Sequence, residues 1–140
     1  MKKTLLLFST LALMVVFFSG CTKEYITNND GTKIYTVIRY VKANDWQKND
    51  DLQWQVSMNV PDLEEYFITD GFVQTAISFD NELHYSTLSS VINGVNYSVE
   101  YTDNTVTIYA EDPIMTDGWG FDPTEMVVKI TLGEAIYLDN

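Results

Sequence analysis

The sequence predicts an all-β fold: a small antiparallel β-sandwich of about seven strands with Greek-key, immunoglobulin-like connections. Three observations carry that expectation. Apolar and polar residues alternate at period 2 in one run after another; turn signals recur about every eight to twelve residues; and the spacing leaves no stretch for a long helix. No internal repeat is present. A small closed barrel is the alternative.

The first run is Ile34 to Val41. The second is the clearest, with Leu52, Trp54, Val56, Met58 and Val60 on one face and Gln53, Gln55, Ser57 and Asn59 on the other, a strand with one wet side. Pro61 ends it because proline has no ladder donor. Pro61 to Tyr66 is expected to form a single helical turn. Phe72 to Phe79 and Leu83 to Leu88 follow, joined by a hairpin at Asp80-Asn81-Glu82. Val95-Tyr97-Val99-Tyr101 alternates against Asn96-Ser98-Glu100-Thr102, and Thr105 to Glu111 comes next. If Asp103-Asn104 is a two-residue turn, Thr102 faces Thr105, Tyr101 pairs with Val106, Val99 with Ile108 and Tyr97 with Ala110. Every inward residue then meets an inward residue, and a slip by one would set tyrosines against threonines. Met126 to Leu132 completes the set, and Ala135 to Leu138 is read as a short eighth strand.

Ahead of the strands stands a leader. Lys2 and Lys3 form a positive n-region, Thr4 to Phe18 is an apolar run too short to span a bilayer, and Ser19-Gly20 is a small-residue cleavage site. The next residue is Cys21, the only cysteine. Phe18-Ser19-Gly20-Cys21 thus resembles the lipobox of a bacterial lipoprotein signal, with residues 1–20 removed and Cys21 becoming the lipidated N-terminus. That resemblance implies a diacylglyceryl thioether, usually with an N-acyl chain such as palmitate, and hence membrane attachment through Cys21. Acyl chains contribute about 0.8 kcal/mol per buried methylene, and two signals hold a protein stably. In such lipoproteins an aspartate after the cysteine retains the protein in the inner membrane; Thr22 stands there instead, so the outer membrane is expected. Residues 21–33, polar and centred on Asn28-Asn29-Asp30-Gly31, read as a flexible tether, and 34–140 as the sandwich domain.

Without the leader, the chain keeps 6 of its 8 Lys/Arg and all 20 Asp/Glu, a formal charge of −14. Such a field repels phosphate backbones and anionic surfaces, so no nucleic-acid partner is expected. With its cysteine acylated, the domain has no disulfide and must rest on packing.

Asn44-Asp45-Trp46 after the first strand, Val60-Pro61-Asp62-Leu63 after the second and Asp70-Gly71 before the third resemble a group of small β-sandwich lipoproteins of Gram-negative bacteria. The likeness spans most of Ile34 to Leu132 and departs from the pattern at Leu88-Ser89, where Leu-Pro is expected. It implies fold and anchoring and carries over no catalytic residue.

The inventory of side chains narrows the chemistry. His84 is the only histidine, which excludes a Cys-His pair, a multi-histidine zinc site and an HExxH helix. It is read as a solvated strand residue. Paired carboxylates could serve a glycosidase, but a sandwich of this size hardly builds the cleft. No enzyme activity and no cofactor are expected. The longest stretch outside the strands, Glu111 to Pro123, holds the candidate site. Asp112, Asp117 and Asp122 match no EF-hand spacing, so no metal is assigned. Trp119 and Phe121, with Asp117 and Asp122 beside them, offer flat apolar faces and acceptors to a glycan or an envelope protein; alternatively the rings fold back as a lid. Trp54 is read as core and Trp46 as an aromatic plug. The expected role is a non-enzymatic envelope protein acting as a surface binding or accessory module. The alternatives are a glycan-binding component of nutrient capture or a structural, pilus-type subunit whose strand Met126 to Leu132 pairs with another chain.

Overall fold

Alternation is realised as two stacked antiparallel sheets with the apolar faces turned inward. In the computed structural model, which describes residues 21–26, 33–114 and 119–135, the strands are β1 (Cys21–Ile26), β2 (Lys33–Val41), β3 (Gln47–Lys48), β4 (Gln53–Asn59), β5 (Phe72–Ser78), β6 (Ser86–Thr87), β7 (Ser90–Ile92), β8 (Val95–Thr102), β9 (Thr105–Glu111) and β10 (Met126–Gly133). One sheet has the order β1-β2-β10-β5-β6 and the other β3-β4-β9-β8-β7. The chain is an all-β sandwich. Between the sheets lie Val37 and Val41 of β2, Val56 and Met58 of β4, Ile77 of β5, Val106, Ile108 and Ala110 of β9, and Met126, Val128, Ile130 and Leu132 of β10, all buried. Val99 packs against this core half-buried.

The β8–β9 hairpin has the register that the inward pattern demands: Thr102 opposite Thr105, Tyr101 opposite Val106, Val99 opposite Ile108 and Tyr97 opposite Ala110. Its turn needs Asn104 at a φ of 58°, which asparagine tolerates better than most residues. A second hairpin, β7–β8, turns through Asn93 (φ 51°) and Gly94 (φ 79°). Asn-Gly is the residue pair that a type I′ turn selects, so this hairpin is written in the sequence itself.

Four expectations need correcting. The strand foreseen over Leu83 to Leu88 shrinks to β6, because the side chains of Ser78 and Asp80 capture the backbone between. Ser78 Oγ accepts from Glu82 N at 3.0 Å and Asp80 Oδ1 from His84 N at 2.9 Å. His84 therefore stands in a loop, with 88% of its side chain exposed. That loop covers the outer face of the first sheet: Tyr85 lies over Lys129 Nζ at 3.7 Å, and Glu82 accepts from both Tyr40 and Tyr85 hydroxyls. The second correction concerns residues 21–33, read as a tether. Cys21 to Ile26 instead pair with Ile38 to Lys33 as an edge strand, since β2 offers an open ladder and Thr22, Tyr25 and Ile26 suit a strand. Residues 27–32 lie outside the described residues. Third, the helical turn falls later than Pro61 to Tyr66, at α1 (Glu65–Thr69), where Phe67 is buried. Fourth, Met126 to Leu132 is not a free terminal strand. As β10 it is paired on both sides, with β2 and β5. Of the eighth strand proposed over Ala135 to Leu138, Ala135 lies beyond β10 and residues 136–138 fall outside the described residues.

Candidate functional site

The C-terminal end of β2 and the N-terminal ends of β4, β8 and β10 meet at one end of the sandwich, and aromatic side chains close it. Trp46 leaves β2 through a 3-10 turn, Ala43–Asp45, which Asp45 Oδ2 fastens by accepting from Lys42 N at 2.8 Å. Its indole is buried and meets Tyr97 edge-on at 6.4 Å and Phe121 at 5.1 Å. Phe121 also touches Trp54 at 5.8 Å and Tyr97 at 6.5 Å. Each such pair is worth about 0.5–1.5 kcal/mol beyond its area, so Phe121 acts as the plug of this end. Trp119 stacks on its outer side, at 5.7 Å and 21°, and is half-buried. Burial pushes the Tyr97 hydroxyl above its ordinary pKa.

Of the residues foreseen for a site, Trp119 and Phe121 come together here and Asp122 is exposed beside them. Asp117 lies outside the described residues. Asp112 is buried and accepts from Ile114 N at 3.0 Å, which fixes the start of the loop. No cluster of three metal-ligating side chains exists among the described residues. The side chain of Cys21 is not described, but its backbone is, opposite Ile38 of β2.

A second place was not foreseen. On the flank where β1 and β3 are the edge strands, neither covers its neighbour fully. Among the described residues, β1 stops opposite Ile38, leaving Arg39 to Val41 without a strand, and β3 covers only Trp54 and Gln55 of β4. Between the two bare edges opens a groove of about 550 Å³ lined by Arg39, Tyr40, Val41, Val56, Met58 and Pro61, among others. The volume falls within the range of about 300–1,000 Å³ typical of ligand sites. Gln53 O accepts from Asn49 and Asp50 N on this flank. By the alternation of an antiparallel strand, Ser57 and Asn59 direct their backbone groups the same way.

Arg39 sits at the base of the groove. Its Nε and Nη2 donate to Asn59 O, each at 3.2 Å, and Nη1 to Ile38 O at 3.1 Å, closing the gap between the sheets. Five N–H bonds radiate from a guanidinium, so part of the fork remains for an acceptor in the groove. Burial lowers its pKa, opposed by the charge of Asp62. The signal was legible: in the run Tyr35-Val37-Arg39-Val41, a charge occupies an inward position.

Fold and site together define an all-β sandwich with an aromatic-plugged end and an open, arginine-floored flank. Comparison of the chain with known proteins gives no matching family model, no matching curated protein and no matching solved structure. No helix among the described residues is long and apolar enough to cross a membrane.

Proposed function

We propose that this chain is a non-enzymatic, lipid-anchored protein of the outer membrane, resembling the small β-sandwich lipoproteins of Gram-negative bacteria, and that its flank groove binds an extended peptide segment of an envelope partner. The anchoring rests on the lipobox-like Phe18-Ser19-Gly20-Cys21 and on Thr22 after it. The groove carries the binding. Among the described residues two strand edges, β2 from Arg39 and β4 from Val56, lack a covering strand and flank the groove, which is the arrangement that takes an added strand: main-chain bonds give affinity and alternate side chains give selectivity. The free part of the Arg39 fork favours a peptide carrying a carboxylate near the groove. A hydrolytic role finds little support, because His84, the one histidine, is an exposed loop residue bonded to Asp80.

The test is a peptide-display screen against the soluble domain. Binders should be extended, with alternating apolar positions and an acidic group. Ser57→Pro removes an N–H from the outward edge of β4 and should weaken them at least about tenfold, since a hydrogen bond and its neighbours are lost together. Binding untouched by Ser57→Pro, or glycan binding that depends on Trp119 in its place, would refute the peptide reading. Unacylated Cys21 by mass spectrometry would refute the anchor.

A further inference from the structure

Cys21, the residue proposed to carry the lipid, is itself part of the sheet, which would fix how an anchored domain stands on its membrane. Cys21 opens β1 opposite Ile38, three positions before Val41 at the end of β2. At about 3.3 Å per residue, the anchor lies on the order of 10 Å from that end of the sheet, with no spacer between lipid and fold. The loops at this same end carry the two most exposed large apolar side chains among the described residues, Leu83 at 77% and Ile114 at 80%. Leu83 follows β5, whose Ser78 pairs with Val127 at the start of β10; Ile114 follows β9, whose Glu111 pairs with Gln53 at the start of β4. Neither packs on the core. Phe79, also partly exposed, and the half-buried Trp119 stand among them.

We infer that the anchored domain lies directly against the lipid surface with its aromatic end, and that Leu83 and Ile114 enter the headgroup region while Trp119 sits at its boundary. This rests on the reading of Cys21 as the lipidated residue. Side chains of this kind are stable about 5–10 Å into an interface, a depth that a spacer-free anchor permits. Trp and Tyr favour that level because one part of the ring is apolar and the other can meet water. Asp80, Asp122 and Glu125 are exposed at the same end, so the surface suits zwitterionic rather than anionic lipid. The opposite end, with α1 and the Asp103-Asn104 turn, points away, and the flank groove stays open to the side.

Acylation uses the only native thiol, so an added cysteine can be labelled alone in the lipidated protein. Leu83→Cys, Ile114→Cys, Ile68→Cys and Asp103→Cys would each carry an environment-sensitive fluorophore, in zwitterionic phosphatidylcholine/phosphatidylethanolamine vesicles with and without a headgroup-level nitroxide quencher. Labels at 83 and 114 should shift to the blue and be quenched, while those at 68 and 103 keep their aqueous emission. Four aqueous labels on vesicle-bound protein, or quenching at 68 and 103 instead, would overturn the orientation. Label entering the parent protein at Cys21 would report a free thiol and overturn the anchoring, a separate failure.

Discussion

Where β8 turns into β9, two residues make the connection, and the chain around them is tied by its own backbone: Val60 N donates to Asn104 O and Asn104 N to Leu63 O, both at 2.8 Å. Leu63 is wholly buried, and Phe67 of α1 packs edge-on against Tyr35 at 6.0 Å. At the opposite end β9 finishes at Glu111 and β10 begins at Met126, and among the described residues closure falls to the side chains of Trp46, Tyr97 and Phe121. An end sealed by backbone bonds tolerates few changes but commits little surface to anything else. One sealed by rings leaves its loops free to meet a partner, at the cost of local stability.

The largest effect expected from breaking this contrast lies at the backbone-tied end. Leu63→Ala should leave a cavity beneath α1 and cost about 2–5 kcal/mol, a fall in Tm on the order of 10 °C for a domain of this size. Calorimetry of the soluble domain measures it. A shift of only a degree or two would mean that this end is held by the hydrogen bonds around Asn104 alone.

Phe121→Ala comes next. The ring is half-buried yet touches Trp46, Trp54, Tyr97 and Trp119, so its loss should cost about 2–3 kcal/mol and expose the Trp46 indole, seen as a red shift of tryptophan emission. An unchanged spectrum would mean that Trp46 is shielded without Phe121.

The strongly alternating strands were legible in the sequence because period 2 reports burial directly: β2, β4, β5, β8, β9 and β10 match their runs to within a residue or so. The β8–β9 register was legible for the same reason. Short edge strands escaped. β3 has two residues and β7 three, too few for any period; β6, also of two, was legible only inside the longer run Leu83 to Leu88; and β1 carries Lys23 and Glu24 in a sequence without a clear apolar alternation. At the candidate site the sequence pointed to Trp119 and Phe121 as a pair, and the fold separates their roles into stacked ring and plug. The groove was hidden because it arises from how far β3 and, among the described residues, β1 cover their neighbours, which depends on pairing across the chain rather than on any local pattern. Only Arg39, out of place on an inward face, marked it.

Trp119→Ala sharpens the comparison from the other side. With one face on Phe121 and none on the buried core, the indole should contribute about 1 kcal/mol or less to stability, so Tm should move by only a few degrees. If the proposed membrane orientation holds, its loss should instead reduce the fluorescence response of the protein to vesicles. A drop in Tm as large as that of Phe121→Ala would make Trp119 a second plug and remove it from the proposed membrane-facing surface.

The smallest effect concerns the loop after β5, at the ring-sealed end, which is held by a charge rather than by rings. Asp80 accepts from His84 N, from the His84 ring and from Ser78 Oγ, and those bonds hold its carboxyl at about 2, below the ordinary 3.8. A folded-state pKa depressed in this way means that the contribution is complete above about pH 4 and is lost as pH falls through about 2. The carboxylate lies at the surface, its side chain 41% exposed, so the consequence is local: the amide resonances of Glu82 and His84 should move together with a midpoint near pH 2, while those of Asn104 and Leu63 stay fixed. A midpoint near 4 would show that Asp80 titrates as a free carboxyl and that the loop owes its shape to Tyr85 and Lys129 packed above the sheet.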